Sequence, residues 1–166
     1  MILPRRKHVH VTSAVTATQA VIDQPADTIM IAEITDHVGA LNDSSPTGGA
    51  AIKSHRPTNA ISNNGAVFDG ETGNPAGPFF ALTFQQAAAA INFAVANNNA
   101  GGQHHIAYIS PDRHSGGANY IYADGHVKWA RLEQTLNPAH FQWGKQGYTI
   151  PGIPPILDPV SGQPVR

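Results

Sequence analysis

The chain has 166 residues, one ordinary domain's worth, and its ten basic and eleven acidic side chains leave a formal net charge of -1. That balance excludes the electrostatic footprint of a nucleic-acid or anionic-lipid binder, and the absence of cysteine excludes disulfides, thiolate nucleophiles and Cys-type zinc sites. Charged residues make up only 13%, so 16 glycines, 13 prolines and many Asn, Ser, Thr and Gln must cover the surface, a composition suited to an exported protein of short strands and long turn-rich loops.

No run approaches the roughly 18 consecutive apolar residues of a membrane span. The opening Met1-Ile2-Leu3-Pro4-Arg5-Arg6 lacks the apolar core of an export signal, so any export segment or anchor is expected upstream. Arg5-Arg6-Lys7 reads as a solvated terminus. His8 to Thr12 alternates as a short strand. A second strand runs from Thr28 to Ile34 after Gln24-Pro25-Ala26-Asp27, with Ile29, Ile31 and Glu33 on one face and Met30, Ala32 and Ile34 on the other. Both faces are largely apolar, which predicts a central strand and makes Glu33 its odd residue.

Residues 36–78 are dominated by Gly, Asn, Ser, Asp and Pro, with a small hairpin expected where Asn64-Gly65 and Asp69-Gly70 flank Ala66-Val67-Phe68. A helix begins after a Thr83 N-cap and runs to the Asn97-Asn98-Asn99-Ala100-Gly101-Gly102 stop. Its predicted apolar stripe is Phe84, Ala87, Ala88, Ile91, Ala94 and Val95, facing the sheet. His105 to Ile109 reads as a further strand.

The segment Ser110 to Arg131, SPDRHSGGANYIYADGHVKWAR, is the most informative. Asp124-Gly125 between alternating apolar runs predicts a hairpin with a two-residue turn. Pairing Ala123 with His126 then sets Tyr122 opposite Val127 and Tyr120 opposite Trp129, so those four form the hairpin core. Asn119, Ile121, Ala123, His126, Lys128 and Ala130 take the other face. The tail from Pro138 contains six prolines and is expected to form an extended, edge-covering arm, pinned at its start by Phe141, Trp143 and Tyr148. The expected organisation is a globular β head over residues 1–137 and a Pro-rich arm over 138–166. The expected fold class is α+β and mainly β, an antiparallel sheet with an Asp-Gly hairpin, one packed helix and long loops.

His114, nine intervening residues and Asp124-Gly125 form a His-x(9)-Asp-Gly arrangement that resembles the signature of the prepilin-type processing-associated domain of planctomycete-like bacteria. QPADTIMIAEITD is similar to the Pro-Ala-x-Thr-Ile-x-x-x-Glu strand preceding that signature. The two matches cover about a quarter of the chain. The resemblance implies a pseudopilin-like protein, similar to type II secretion pseudopilins, with an N-terminal cleavage signal, one apolar helix and a β head. That helix is missing from these residues, so membrane attachment is expected only through it. The location implied is extracellular, cell-surface or periplasmic.

Glu33, Arg113, His114, Asp124 and Gly125 are the structural motif, with Gly116-Gly117 turning the chain so that His114 returns beside the strands. A buried network is expected in which Glu33 accepts from Arg113 or His114. A subsidiary reading places calcium on Asp112, Asp124 and backbone carbonyls, although there is no Asp-rich loop. No catalytic residue and no other cofactor is expected. His8 and His10 supply two imidazoles where catalytic zinc takes three ligands, Ser110, His114 and Asp124 lack a nucleophile elbow, and phosphate-loop and dinucleotide motifs are absent. The expected role is structural, through contacts with copies of itself or other pilin-like subunits. The alternative is a secreted carbohydrate-binding module using Tyr, Trp and Asn of the 36–78 loop and tail.

Overall fold

The computed structural model describes residues 19–41, 60–62, 67–68, 77–99, 105–147 and 153–166. The expected strand at His8 to Thr12, the Asp69-Gly70 turn, Gly101-Gly102, His104 and Tyr148 lie outside them. Seven strands and three α-helices follow in chain order among these residues: β1 Ile29–Ala32, α1 Val38–Leu41, β2 Ala60–Ser62, β3 Val67–Phe68, β4 Phe79–Ala81, α2 Phe84–Asn97, β5 Ala118–Tyr122, β6 Val127–Ala130, α3 Leu132–Thr135 and β7 Ile156–Leu157. The fold is α+β, built on a three-stranded antiparallel sheet β1-β5-β6 and a four-stranded sheet β3-β2-β4-β7. In the second sheet only β4 and β7 run parallel. The small hairpin expected near Val67 exists as β2 and β3, paired Ala60 to Phe68 and Ile61 to Val67.

Helix α2 forms where the sequence places it. Thr83 Oγ1 accepts from the Gln86 backbone N–H at 3.2 Å and Gln86 Oε1 accepts from the Thr83 backbone N–H at 2.9 Å, a reciprocal capping box that satisfies two otherwise unpaired donors. Asn98 ends the helix in the left-handed region, at φ 45°. The buried face is Ala87, Ala90, Ile91 and Ala94. Phe84 and Val95, expected in the stripe, stand exposed. Alanines let the helix approach the core closely, so the contact is narrower than a stripe of large side chains would make it.

Three expectations about the first sheet are corrected. Strand β1 lies at its edge, with β5 central. A bulge between Ile29 and Ile31 breaks the alternation, so Ile29 faces Tyr122 inside while Ile31 pairs with Ile121 outside. His105 to Tyr108 is a 3-10 turn, and Ile109 makes only an isolated bridge to Ile34. The turn buries the consecutive residues Ile106, Ala107 and Tyr108, which an alternating strand would not do.

A further correction is the hairpin register. The turn holds three residues, Ala123-Asp124-Gly125, and Tyr122 faces His126 across it, with Tyr122 N–H donating to His126 O at 2.9 Å and Gly125 N–H to Tyr122 O at 2.9 Å. Gly125 sits at φ 95°, as the three-residue hairpin loop requires. Its partner strand therefore shifts by one residue, pairing Tyr120 with Lys128 and Asn119 with Trp129. One residue of shift reverses every side chain of β6. Tyr120 and Tyr122 are buried as expected, whereas Val127 is 60% and Trp129 44% exposed and neither belongs to the hairpin core.

The core is continuous from Ile29, Tyr120 and Tyr122 through Phe79, Leu82 and Ile91 to Phe141, Trp143, Ile156 and Val165. The Pro-rich tail thus supplies core side chains. Strand β7 covers the edge of β4, and Phe141 N–H donates to Arg166 O.

Candidate functional site

Glu33 follows β1 directly, and the structure brings it to His114 as the sequence suggests. His114 Nε2–H donates to Glu33 Oε1 at 2.9 Å, and the Asn119 backbone N–H donates to Glu33 Oε2 at 3.1 Å. Arg113 passes the carboxylate by and donates from Nη2 to Ile34 O at 2.8 Å. One acidic side chain and one carbonyl of the β1 strand end are thereby tied to the loop entering β5.

That loop is shaped by its own sequence. His114 and Gly117 exchange backbone bonds of 2.8 and 3.2 Å across Ser115 and Gly116, which take φ 56° and 78°. Both central residues at positive φ make the tight turn whose twist suits paired strands. Trp129 closes the arrangement: its Nε1–H donates to His114 O at 2.8 Å, and its indole lies so close to Gly117 that a Cβ there would fall 2.5 Å from Cε2 and Cζ2. Sequence reasoning assigned Trp129 to the core and missed its contact with Gly117. The signal was present in the Gly116-Gly117 pair, of which only the first was needed for the turn.

The network is a surface one, correcting the expectation that it is buried. The His114 side chain is 46% and that of Glu33 28% exposed, because among the described residues no layer covers the outer face of the β1-β5-β6 sheet. Partial desolvation pushes the Glu33 carboxyl up, but the bonds from His114 and Asn119 and the charges of His114 and Arg113 outweigh it and hold its pKa below the ordinary value.

Asp124 and Gly125 serve the far end of the hairpin. Asp124 Oδ1 accepts from the His126 backbone N–H at 3.1 Å and from its Nδ1–H at 2.7 Å, which lowers the aspartate pKa. The His126 ring stacks on Tyr122 at 4.3 Å, and the Tyr122 hydroxyl donates to Gln142 Oε1 at 2.6 Å. Asp124 is thus engaged with its own turn and His114 with Glu33, so Ser110, His114 and Asp124 form no triad. Among the described residues no cluster of three His, Cys, Asp or Glu could hold a metal ion.

A groove of about 460 Å³ runs between the exposed side of α2 and the loops around it. Phe84, Ile91 and Val95 line it together with Ile109 and Leu132, with Asp112 and Arg131 also at its wall. Asp36, His37, Ser110 and Glu133 add to its polar lining. Buried beneath the sheet, the Tyr120 hydroxyl lacks a hydrogen-bond partner, the single such side-chain atom among the described residues, and its ring meets Trp143 edge-on at 5.6 Å. Burial, with the neighbouring Tyr122 and Glu33, drives its pKa well above the usual phenol range.

Comparison of the chain with protein-family models, with curated proteins and with solved structures gives no match. Among the described residues no helix is long and apolar enough to cross a membrane.

Proposed function

We propose that this chain is a pseudopilin-like head domain, a structural or assembly component of a pilus or type II secretion-like surface assembly, exported and without enzymatic activity. The observation that carries the reading is how the His-x(9)-Asp-Gly segment is spent. Arg113 and His114 tie the loop to the end of β1, Gly117 seats Trp129, Tyr120 and Tyr122 enter the core, and Asp124 and Gly125 close the hairpin. Its polar groups are used in holding strands together, which suits a scaffold and leaves little for chemistry on a substrate.

Exposed Trp129 favours a second reading, a carbohydrate-binding module with an aromatic platform. Its indole N–H, however, is already donated to His114 O. A tagged copy expressed in the native cell tests the first reading. It should be recovered in the surface fraction released by mechanical shearing, and recovery in the cytoplasm alone would overturn it. Saturable binding to a glycan array would favour the second.

A further inference from the structure

The corrected register leaves an apolar stripe on the open side of the first sheet. Ile31 pairs with Ile121 and Ile121 with Val127, so these three lie abreast across β1, β5 and β6, with Trp129 on the same face two residues along. Ile31 is 46% exposed, Ile121 half-buried, and Val127 and Trp129 more open than core residues of their type. On the opposite face Tyr120 and Tyr122 are buried.

We infer that this face, Ile31-Ile121-Val127-Trp129, is the surface through which two copies of the chain pack, sheet against sheet. The inference rests on the assembly reading above and names its contact. Three observations select a second copy as the occupant. First, the groups bordering the stripe are already paired within the chain: both Glu33 oxygens, His114 Nε2 and the Trp129 indole N–H. A sugar or a charged ligand finds these partners already taken, whereas an identical neutral apolar face is complementary. Second, a net charge of -1 opposes the approach of two copies only weakly. Third, the face is small, four partly exposed side chains where a standard stable interface takes roughly 800 Å² per partner. Such a face does not hold a free dimer tightly, and it suits copies already held side by side.

Edge-to-edge growth is the competing geometry, and Lys128 opposes it. It occupies edge strand β6 opposite Tyr120, on the inner side of the sheet, where a charge discourages strand addition. At the β1 edge Ile29 N–H is already bonded to Gln142 O and Ile34 bridges Ile109, so contact is through the face.

Sedimentation equilibrium of the full chain up to about 1 mM tests this. The weight-average mass should rise with concentration. Val127→Lys, and independently Ile31→Lys on the other edge strand, should each weaken the association constant at least ten-fold without lowering the melting temperature. Val160→Lys, at a fully open position elsewhere, should leave it unchanged. A wild-type chain that stays monomeric throughout, or face variants that associate like wild type, would overturn the inference. The two readings separate: a Val127→Lys protein still recovered normally in the sheared surface fraction removes this face and leaves the assembly reading standing.

Discussion

Gly116 and Gly117 are adjacent and do different work, which makes them a sensitive pair of probes. Gly116 sits at φ 78° with nothing within 4 Å of the place a methyl group would take, so Gly116→Ala carries only the left-handed backbone penalty, about 1 kcal/mol. Gly117→Ala drives a Cβ to 2.5 Å from the Trp129 indole and 2.7 Å from Ala130 O, and the backbone oxygen cannot yield as a flexible side chain would. It should cost about 1–3 kcal/mol by overpacking and should also shift Trp129 fluorescence as the bond to His114 O is lost. Denaturant unfolding with tryptophan emission separates the two. Equal losses with unchanged emission in both variants would mean that the indole is not seated on Gly117.

Glu33 sets a pH dependence at the same scale. Its carboxyl ionises at lower pH folded than unfolded, so in the acid range the unfolded chain binds more protons and stability rises with pH. The contribution is fully present above the ordinary carboxylate value and is lost as pH falls through the depressed folded-state value. Asp124 and Asp158, also lowered by bonds from His126 and Ser161, act with the same sign. Glu33→Gln should therefore cost about 1 kcal/mol near neutrality, given its partial exposure, and should flatten the acid limb of a stability-against-pH curve without abolishing it. An unchanged acid limb would place the pH dependence elsewhere.

At the scale of the element, α2 is legible because its signals are local. Thr83 and Gln86 cap it within four residues, and Asn98 stops it. Thr83→Ala should cost about 1 kcal/mol and a few degrees of melting temperature, seen by circular dichroism, since it removes the acceptor for Gln86 N–H. The hairpin is legible in kind and illegible in register. Asp124-Gly125 announces a turn, but a two-residue and a three-residue loop share that dipeptide, and the choice decides which way Val127 and Trp129 point. The β1 bulge fails in the same way, because one extra residue at Met30 is invisible in an apolar run. Of the site, the Glu33–His114 contact could be read from residue types and strand order; the Asn119 N–H and the Trp129 indole could not, because the first depends on the bulged β1–β5 pairing and the second on the hairpin register.

The whole molecule depends on its last residues more than their proline content suggests. Proline spacing describes an extended strand that cannot join a sheet interior, and β7 accordingly sits on the rim, parallel to β4. Yet Ile156 is fully buried there, and Val165 is buried with it. Its attachment is reinforced by backbone bonds, Ile156 N–H to Lys145 O at 2.8 Å and Val165 N–H to Ile156 O at 3.0 Å. Earlier in the tail, Gln142 O accepts from Ile29 N–H at 2.7 Å and Trp143 Nε1–H donates to Thr135 Oγ1 at 2.9 Å, so the tail touches both the sheet and α3. An arm merely laid over a finished core would tolerate truncation of its apolar side chains. An arm that completes the core would not, and Ile156→Ala should then cost about 2–5 kcal/mol, within the range for large-to-small changes at fully buried sites. Val160→Ala, on the exposed turn between the two buried anchors, should change stability by less than about 0.5 kcal/mol. Equilibrium unfolding of both variants decides the matter: a single transition shifted in the first and unmoved in the second makes the tail one cooperative unit with the sheets, whereas a neutral Ile156→Ala would detach it from them.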